Sequence, residues 1–158
     1  MSLKIRPVTK DNWRELSKLR VRDDQANFVA TNLQSIAEAQ FGFDDQPGFG
    51  HWDAVSFGIY DENKPVGFFM LGYNYLNPKM QAYVIRLMVD EKFQGRGYGK
   101  CAMNWILDHF RGNARVRTLA INYESNNNPA RALYASFGFR ETGEIEQNGE
   151  VVAILQIK

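Results

Sequence analysis

Apolar and polar positions alternate over residues 3–8, "LKIRPV", a period of two that predicts a first strand. The period then changes. In "TKDNWRELSKLRV" (9–21) Trp13, Leu16 and Leu19 share one helical face, and Asn12 with Glu15 has capping-box spacing. A second helix is expected over 26–41. "FGFDDQPGFGHWD" (41–53) loses periodicity and gathers turn residues, so it reads as a loop. "AVSFGIYD" (54–61) and "KPVGFFMLGYNY" (64–75) flank "ENK" as a hairpin. "QAYVIRLMVD" (81–90) is the longest strand candidate. A helix over 97–111, a strand "VRTLAINY" (116–123) and a helix over 128–138 follow. "FRETGEIEQ" and "EVVAILQI" close the chain as a hairpin around Asn148–Gly149, a favoured two-residue turn. The order βααβββαβαββ predicts an α+β fold with a mixed sheet.

Length and composition narrow the class. A chain of 158 residues, 44% hydrophobic and 23% charged, predicts one globular domain over 1–158. No apolar run approaches the roughly 20 residues of a membrane span, and the start has no signal-peptide pattern. One cysteine, Cys101, excludes an internal disulfide and a multi-cysteine metal site. His51 and His109 lack metal-ligand spacing, so no metal is expected. A reducing cytoplasm is the expected setting. Net charge is only +1, which gives no nucleic-acid footprint.

The distribution of charge says more. Residues 21–62 carry eight acids against one base, Arg22. The flanks are basic, with six bases against two acids in 1–20 and twelve against eight in 63–158. Such a chain can face two unlike ligands, although a solvated acidic loop explains the block equally well.

The densest chemical signal is "VDEKFQGRGYGK" (89–100), where Gly95, Gly97 and Gly99 alternate with Arg96, Tyr98 and Lys100. A strand leads in and a helix leads out. Glycines admit positive φ and close backbone approach, and a helix start presents free N–H groups. The guest this turn suits is an anion, a diphosphate above all. The P-loop pattern fails because Cys101 follows Lys100. The dinucleotide fingerprint fails because the spacing is G-x-G-x-G after a hairpin.

With Gln94 included, "QGRGYG" matches the [Gln/Arg]-x-x-Gly-x-[Gly/Ala] signature of the GNAT superfamily of acetyl-CoA-dependent N-acetyltransferases. "NNPARALYASFGF" (127–139) resembles that family's downstream Asn-x-x-Ala-x-x-Leu-Tyr-x-x-x-Gly-Phe segment. "FVATNLQSIAEAQF", "VIRLMVDEKFQGRGYGK", "YESNN" and "LYASFGFRETGE" resemble the bacterial spermine/spermidine (diamine) acetyltransferase branch.

The resemblance implies a mostly antiparallel sheet flanked by helices. It places an acetyl-CoA core at about 81–139 and an acceptor side at about 9–53. Backbone groups of Leu87, Met88 and Val89 would hold the pantetheine arm, in the gap where strand 81–90 splays from strand 116–123. N–H groups from Gly95 to Lys100 would hold the pyrophosphate, and the Asn127 amide would bond the arm. Tyr134 matches the family's general acid, and a core aromatic is its alternative. An acid is expected four residues before Val89, where Ile85 stands instead. Glu124 is the remaining candidate base, with a water relay, a structural acid or capture of neutral amine as alternatives.

The implied reaction is acetyl transfer to a primary amine, expected to belong to a polyamine such as spermidine or spermine. Another cationic amine (an aminoglycoside or a protein amine) and a non-catalytic acetyl-CoA sensor are the competing functions. Glu38, Asp44 and Asp45 are the expected acceptor-side acids, with Phe28, Phe41, Phe43, Phe49 and Trp52 as aromatic contacts or packing. No nucleic-acid or membrane partner is expected, and a homodimer is possible by likeness to relatives.

Overall fold

The computed structural model describes residues 3–26, 30–44, 50–146 and 148–158. Its strands are β1 (Leu3–Pro7), β2 (Phe43–Asp44), β3 (His51–Asp61), β4 (Lys64–Tyr73), β5 (Ala82–Val89), β6 (Thr118–Glu124), β7 (Arg140–Ile145) and β8 (Glu150–Gln156). Its helices are α1 (Trp13–Ser17), α2 (Asn32–Phe41), α3 (Tyr98–Arg111) and α4 (Asn128–Ser136). The strands lie in the order β1-β3-β4-β5-β6-β8-β7, with β2 beside β3. Every pairing is antiparallel except β5 with β6. This is the expected α+β fold with a mixed sheet, carrying one short strand more than the sequence pattern predicted.

The sheet is covered on both faces. Phe57, Ile59, Phe69 and Leu71 pack with Met103, Ile106 and Phe110 of α3. Phe68, Met70 and Met88 pack on the other face with Ile36 and Ala39 of α2. Two-sided burial explains the apolar run of β4, whose residues from Phe68 to Leu71 alternate between the two cores. Gly58 lets α1 lie close, since a Cβ there would stand 2.7 Å from a Leu16 methyl.

Several boundaries differ from the sequence reading. The capping box does not form. Asn12 Nδ2 instead donates to the Pro7 carbonyl (3.0 Å), and Glu15 accepts from the Tyr60 hydroxyl (2.7 Å). The first helix is accordingly five residues long. The second begins at Asn32 rather than 26, because Thr31 caps it by accepting from the Gln34 N–H at 3.2 Å. Asp23–Gln25 form a 3-10 turn, and 27–29, which include Phe28, lie outside the described residues. Within the expected loop 41–53, Phe43 and Asp44 pair with Trp52 and His51, so β3 starts at His51. The last hairpin is closed by Glu146 and Glu150 rather than directly around Asn148–Gly149. Gly149 (φ 88°) donates to the Glu146 carbonyl, and Glu146 to the Glu150 carbonyl.

One irregularity shapes the rest. On β4 and β5 Met70 faces Arg86 but Leu71 faces Val84, so Ile85 is an extra residue, a β-bulge. Parallel pairing of β5 with β6 runs from Ala82–Leu119 to Val84–Ile121 and stops there. Beyond the bulge the two strands part.

Phe69, fully buried and stacked on Phe57 at 5.0 Å, anchors the α3 side of the sheet. Phe69→Ala is expected to cost about 3–5 kcal/mol in urea unfolding, chiefly through the cavity it leaves.

Candidate active site

The parted strands open a cleft of about 300 Å³ between β5, the glycine turn and α4. Its walls include Leu87, Val89, Gln94, Gly99, Leu133 and Tyr134. Asp90 donates its N–H to the Val66 carbonyl of β4, so residues of its parity bond inward. Val89 turns the other way, with its carbonyl accepting from Gln94 Nε2 at 3.0 Å. Leu87 shares the parity of Val89, and so both present backbone groups to the open edge. Met88 lines the cleft beside them, as expected, but is oriented differently. Its backbone has the inward parity, and its side chain lies in the α2-side core, where Asn32 approaches its sulfur at 3.6 Å.

The glycine turn ends the cleft. Gly95 (φ 76°) and Gly97 (φ 86°) are left-handed, which other residues adopt only with strain. Gly97 is the N-cap of α3 and supplies no side-chain cap, and the first intrahelical bond is Cys101 N–H to the Gly97 carbonyl. The N–H groups of Tyr98, Gly99 and Lys100 are left for a guest. No acid sits in the first turn of α3. Gly99 has ordinary φ, and a Cβ there would stand 3.8 Å from Val89 and 4.0 Å from Leu133, inside the cleft mouth. The turn thus offers directed N–H groups, a dipole end and space for a diphosphate.

The side chains of this segment divide. Arg96 and Lys100 are exposed, and Arg96 reaches back to the Lys92 carbonyl (3.2 Å) over the Phe93 ring. The Tyr98 ring leaves the cleft for the core and donates its hydroxyl to Asp61, so only its backbone faces a ligand. The Gln94 amide ties the turn to Gln25 at 2.9 Å. Asn127 caps α4, its Oδ1 accepting from Ala130 N–H at 3.3 Å. Its carbonyl is therefore used locally, while its position in the cleft wall remains as expected.

Tyr134 is buried in the cleft wall, its ring 5.6 Å from Tyr123 and 6.0 Å from Phe139. Burial, then neighbouring Tyr123, raises its phenol above the ordinary value and keeps it protonated. Tyr134 is the packed aromatic of the alternative reading, and it also walls the opening.

The acceptor side departs more from expectation. Glu38 on α2 pairs with Arg86 (3.2 Å) and accepts from Gln34 (2.9 Å). Asp44 bonds His51 at 2.8 Å, and this bond raises the imidazole pKa. Neither acid stands alone as the charge pattern suggested, because each meets a base from a distant or turned-back segment. Asp45 and Phe49 lie outside the described residues. Glu124 ends β6 opposite Glu150 of β8. Among the described residues, no three His, Cys, Asp or Glu side chains gather as metal ligands, and no helix is long and apolar enough to cross a membrane. Gln25, Pro129 and Leu133 also line the cleft, and only the fold brings these ordinary residues to it.

A sheet that parts beside a glycine-rich helix start is the acetyltransferase arrangement. The chain belongs to the acetyltransferase (GNAT) family, whose sequence model matches residues 13–139. It is 28% identical to a spermine/spermidine N(1)-acetyltransferase of Bacillus subtilis, over 99% of this chain and all of that one. Among solved structures it resembles a spermidine N-acetyltransferase of Vibrio cholerae in complex with CoA and spermine. There the TM-score is 0.70 at 16% identity, covering 98% of this chain and 95% of that one. It equally resembles an acetyltransferase of Salmonella typhimurium that modifies the N-terminal serine of ribosomal protein L7/L12. That match has TM-score 0.71 at 17% identity over 100% and 96% of the two chains.

The two glycines are expected to behave differently. Gly97→Ala forces a side chain into a left-handed cap and should lower stability by about 1–2 kcal/mol. Gly99→Ala meets no close atom and should leave stability unchanged or raise it, by up to about 1 kcal/mol from helix propensity. Urea midpoints of the two variants check this.

Proposed function

We propose that this acetyltransferase moves the acetyl group of acetyl-CoA onto a primary amine of a polyamine such as spermidine or spermine. The observation that carries the reading is the opening of β5 from β6 directly onto the free N–H groups of α3. A thioester with a long arm and a diphosphate fits a groove with an apolar wall, an unpaired strand edge and an anion seat. The polyamine part rests on the Bacillus relative, matched end to end.

In this reading Leu87 and Val89 hold the pantetheine arm along the open edge of β5, and a strand N–H there polarises the acetyl carbonyl. The N–H groups from Gly95 to Lys100 hold the diphosphate. Arg96 and Lys100 add charge at the rim. The Asn127 amide nitrogen, opposite the oxygen that caps α4, bonds the arm. Tyr134 donates to the departing sulfur. A thiol has a pKa near ~8.5 and a phenol near ~10, and burial pushes Tyr134 higher still in the free protein. Donation therefore depends on the thiolate charge as it forms beside the hydroxyl. Glu124 holds the incoming ammonium at the end of β6. An alkyl ammonium has a pKa of about 10.4, so a base must free its lone pair.

Release of free thiol from acetyl-CoA, assayed over a panel of amines, tests the reading. Turnover with spermidine or spermine is expected. Turnover with only an aminoglycoside or a protein N-terminus would replace the acceptor, and none at all, with acetyl-CoA bound, would leave a sensor. Tyr134→Phe is expected to lower kcat by about 10²-fold or more. The acetyl-CoA-dependent rise in thermal midpoint should be unchanged, because the ring that packs against Tyr123 stays.

A further inference from the structure

Where the resemblance implies an acid, position 85 holds Ile85, which cannot accept a proton, so the carboxylates facing the acceptor side matter. Leu119, Ile121 and Tyr123 of β6 pack in the α3-side core, as do Val151, Ala153 and Leu155 of β8. Alternation therefore turns Asn122, Glu124 and Glu150 to the opposite face, the face of α2. Arg86 points there too, since it pairs with Glu38 of α2. Glu124 and Glu150 are direct register partners on antiparallel strands. Like charges so placed repel. Among the described residues neither carboxylate has an ion-pair partner.

Other features of this face point to a guest. Arg86 Nε and Asn122 Oδ1 are buried and have no hydrogen-bond partner among the described residues. One is a donor and the other an acceptor, and both lie beside the parted strands. The Tyr83 ring packs against Trp52 at 5.8 Å, and burial first, then the charge of Glu150, keeps its phenol protonated. Aromatic faces beside unpaired carboxylates are the chemistry that receives an alkyl ammonium.

We propose that Glu150 is the base that takes the proton of the acceptor ammonium, with Glu124 holding the cation beside it. This rests on the amine-acetylating reading above. Burial, then the charge of Glu124, raises the Glu150 carboxyl above its ordinary range, and Glu146 adds to this. Arg86 and the Asn148 amide, which donates to Glu150 at 2.9 Å, oppose it. A raised base narrows the gap to the ammonium. Proton transfer also removes the repulsion, since it leaves one neutral carboxyl beside one carboxylate.

The step balances. An ammonium N–H bond breaks as the Glu150 O–H bond forms. The freed nitrogen pair bonds the thioester carbonyl carbon, and the C–S bond breaks. The nitrogen's second proton offsets the one Tyr134 gives to sulfur, leaving an amide and a free thiol. Glu150 then returns its proton to water.

A raised carboxyl binds protons more tightly in the folded protein, so its ionised form opposes folding. Its cost is absent below the unfolded value near ~4.3 and appears as pH rises through the folded value. Glu150→Gln in the full chain, assayed with acetyl-CoA and spermidine, tests the proposal. A fall in kcat/KM of about 10²-fold is expected, with loss of the acidic limb of the pH profile. The thermal midpoint at neutral pH should be equal or higher, and acetyl-CoA should still raise it. An unchanged rate and limb would overturn the role of Glu150 while wild-type turnover leaves the reading standing. A lower midpoint with an unshifted limb would make Glu150 structural and overturn it as well. Wild-type protein that acetylates no amine would overturn both.

Discussion

The extra residue at Ile85 is the constraint on which the site depends. Without it β5 and β6 would continue in parallel past Val84 and Ile121, and their edges would close. A paired edge satisfies its own backbone groups and offers nothing to a ligand. The bulge instead turns Leu87 and Val89 outward, as unpaired groups in an apolar groove. Such groups are costly unless something bonds them. The Gln94 amide meets one, the Val89 carbonyl, at 3.0 Å. The rest define what the cleft asks of a guest: donors and acceptors along a line, ending at an anion.

The bulge also decides which side chains meet. In a classic bulge two consecutive residues face nearly the same way. Ile85 packs toward α2 and Arg86 reaches Glu38 on the same helix. One extra residue thus opens the cleft toward α3 and α4 and sends a guanidinium to the other face. The diphosphate seat and the cation-facing acids lie on opposite sides of one sheet, which keeps opposite charges apart until the acyl group joins them.

Features set by local chemistry were legible in the sequence. The turn from Gln94 to Lys100 and the segment from Asn127 to Tyr134 each need particular residues at fixed spacing, for a left-handed cap or a helix start. They appear where they were expected. Features set by distant partners were not legible. Thr31 outcompeted 26 as a helix start, and Asn12 bonded Pro7 instead of capping. The partner of Glu38 is Arg86, 48 positions away, so an acidic block counted along the chain overstated free negative charge. Tyr98 sits within the motif, yet its ring serves the core. Glu150 escaped notice because nothing near it in sequence marks it. Only the register against Glu124 does.

That register also bears on why the acid pair is tolerated. Glu124 and Glu150 face each other where a Thr pair or an opposite-charge pair would stabilise the sheet. Arg86 lies close enough to bear on Glu150, but its guanidinium is tied to Glu38. The protein thus holds a cation within reach and leaves the pair uncompensated. A structural ion network would have closed that gap with a salt bridge. A site for an incoming ammonium has reason to leave it open, because a permanent partner for Glu150 would compete with the substrate for the same charge. On this account the identity of residue 86 matters as much as the carboxylates. An arginine held by Glu38 tunes the pair without neutralising it, and it marks where the acceptor's positive charge must stop.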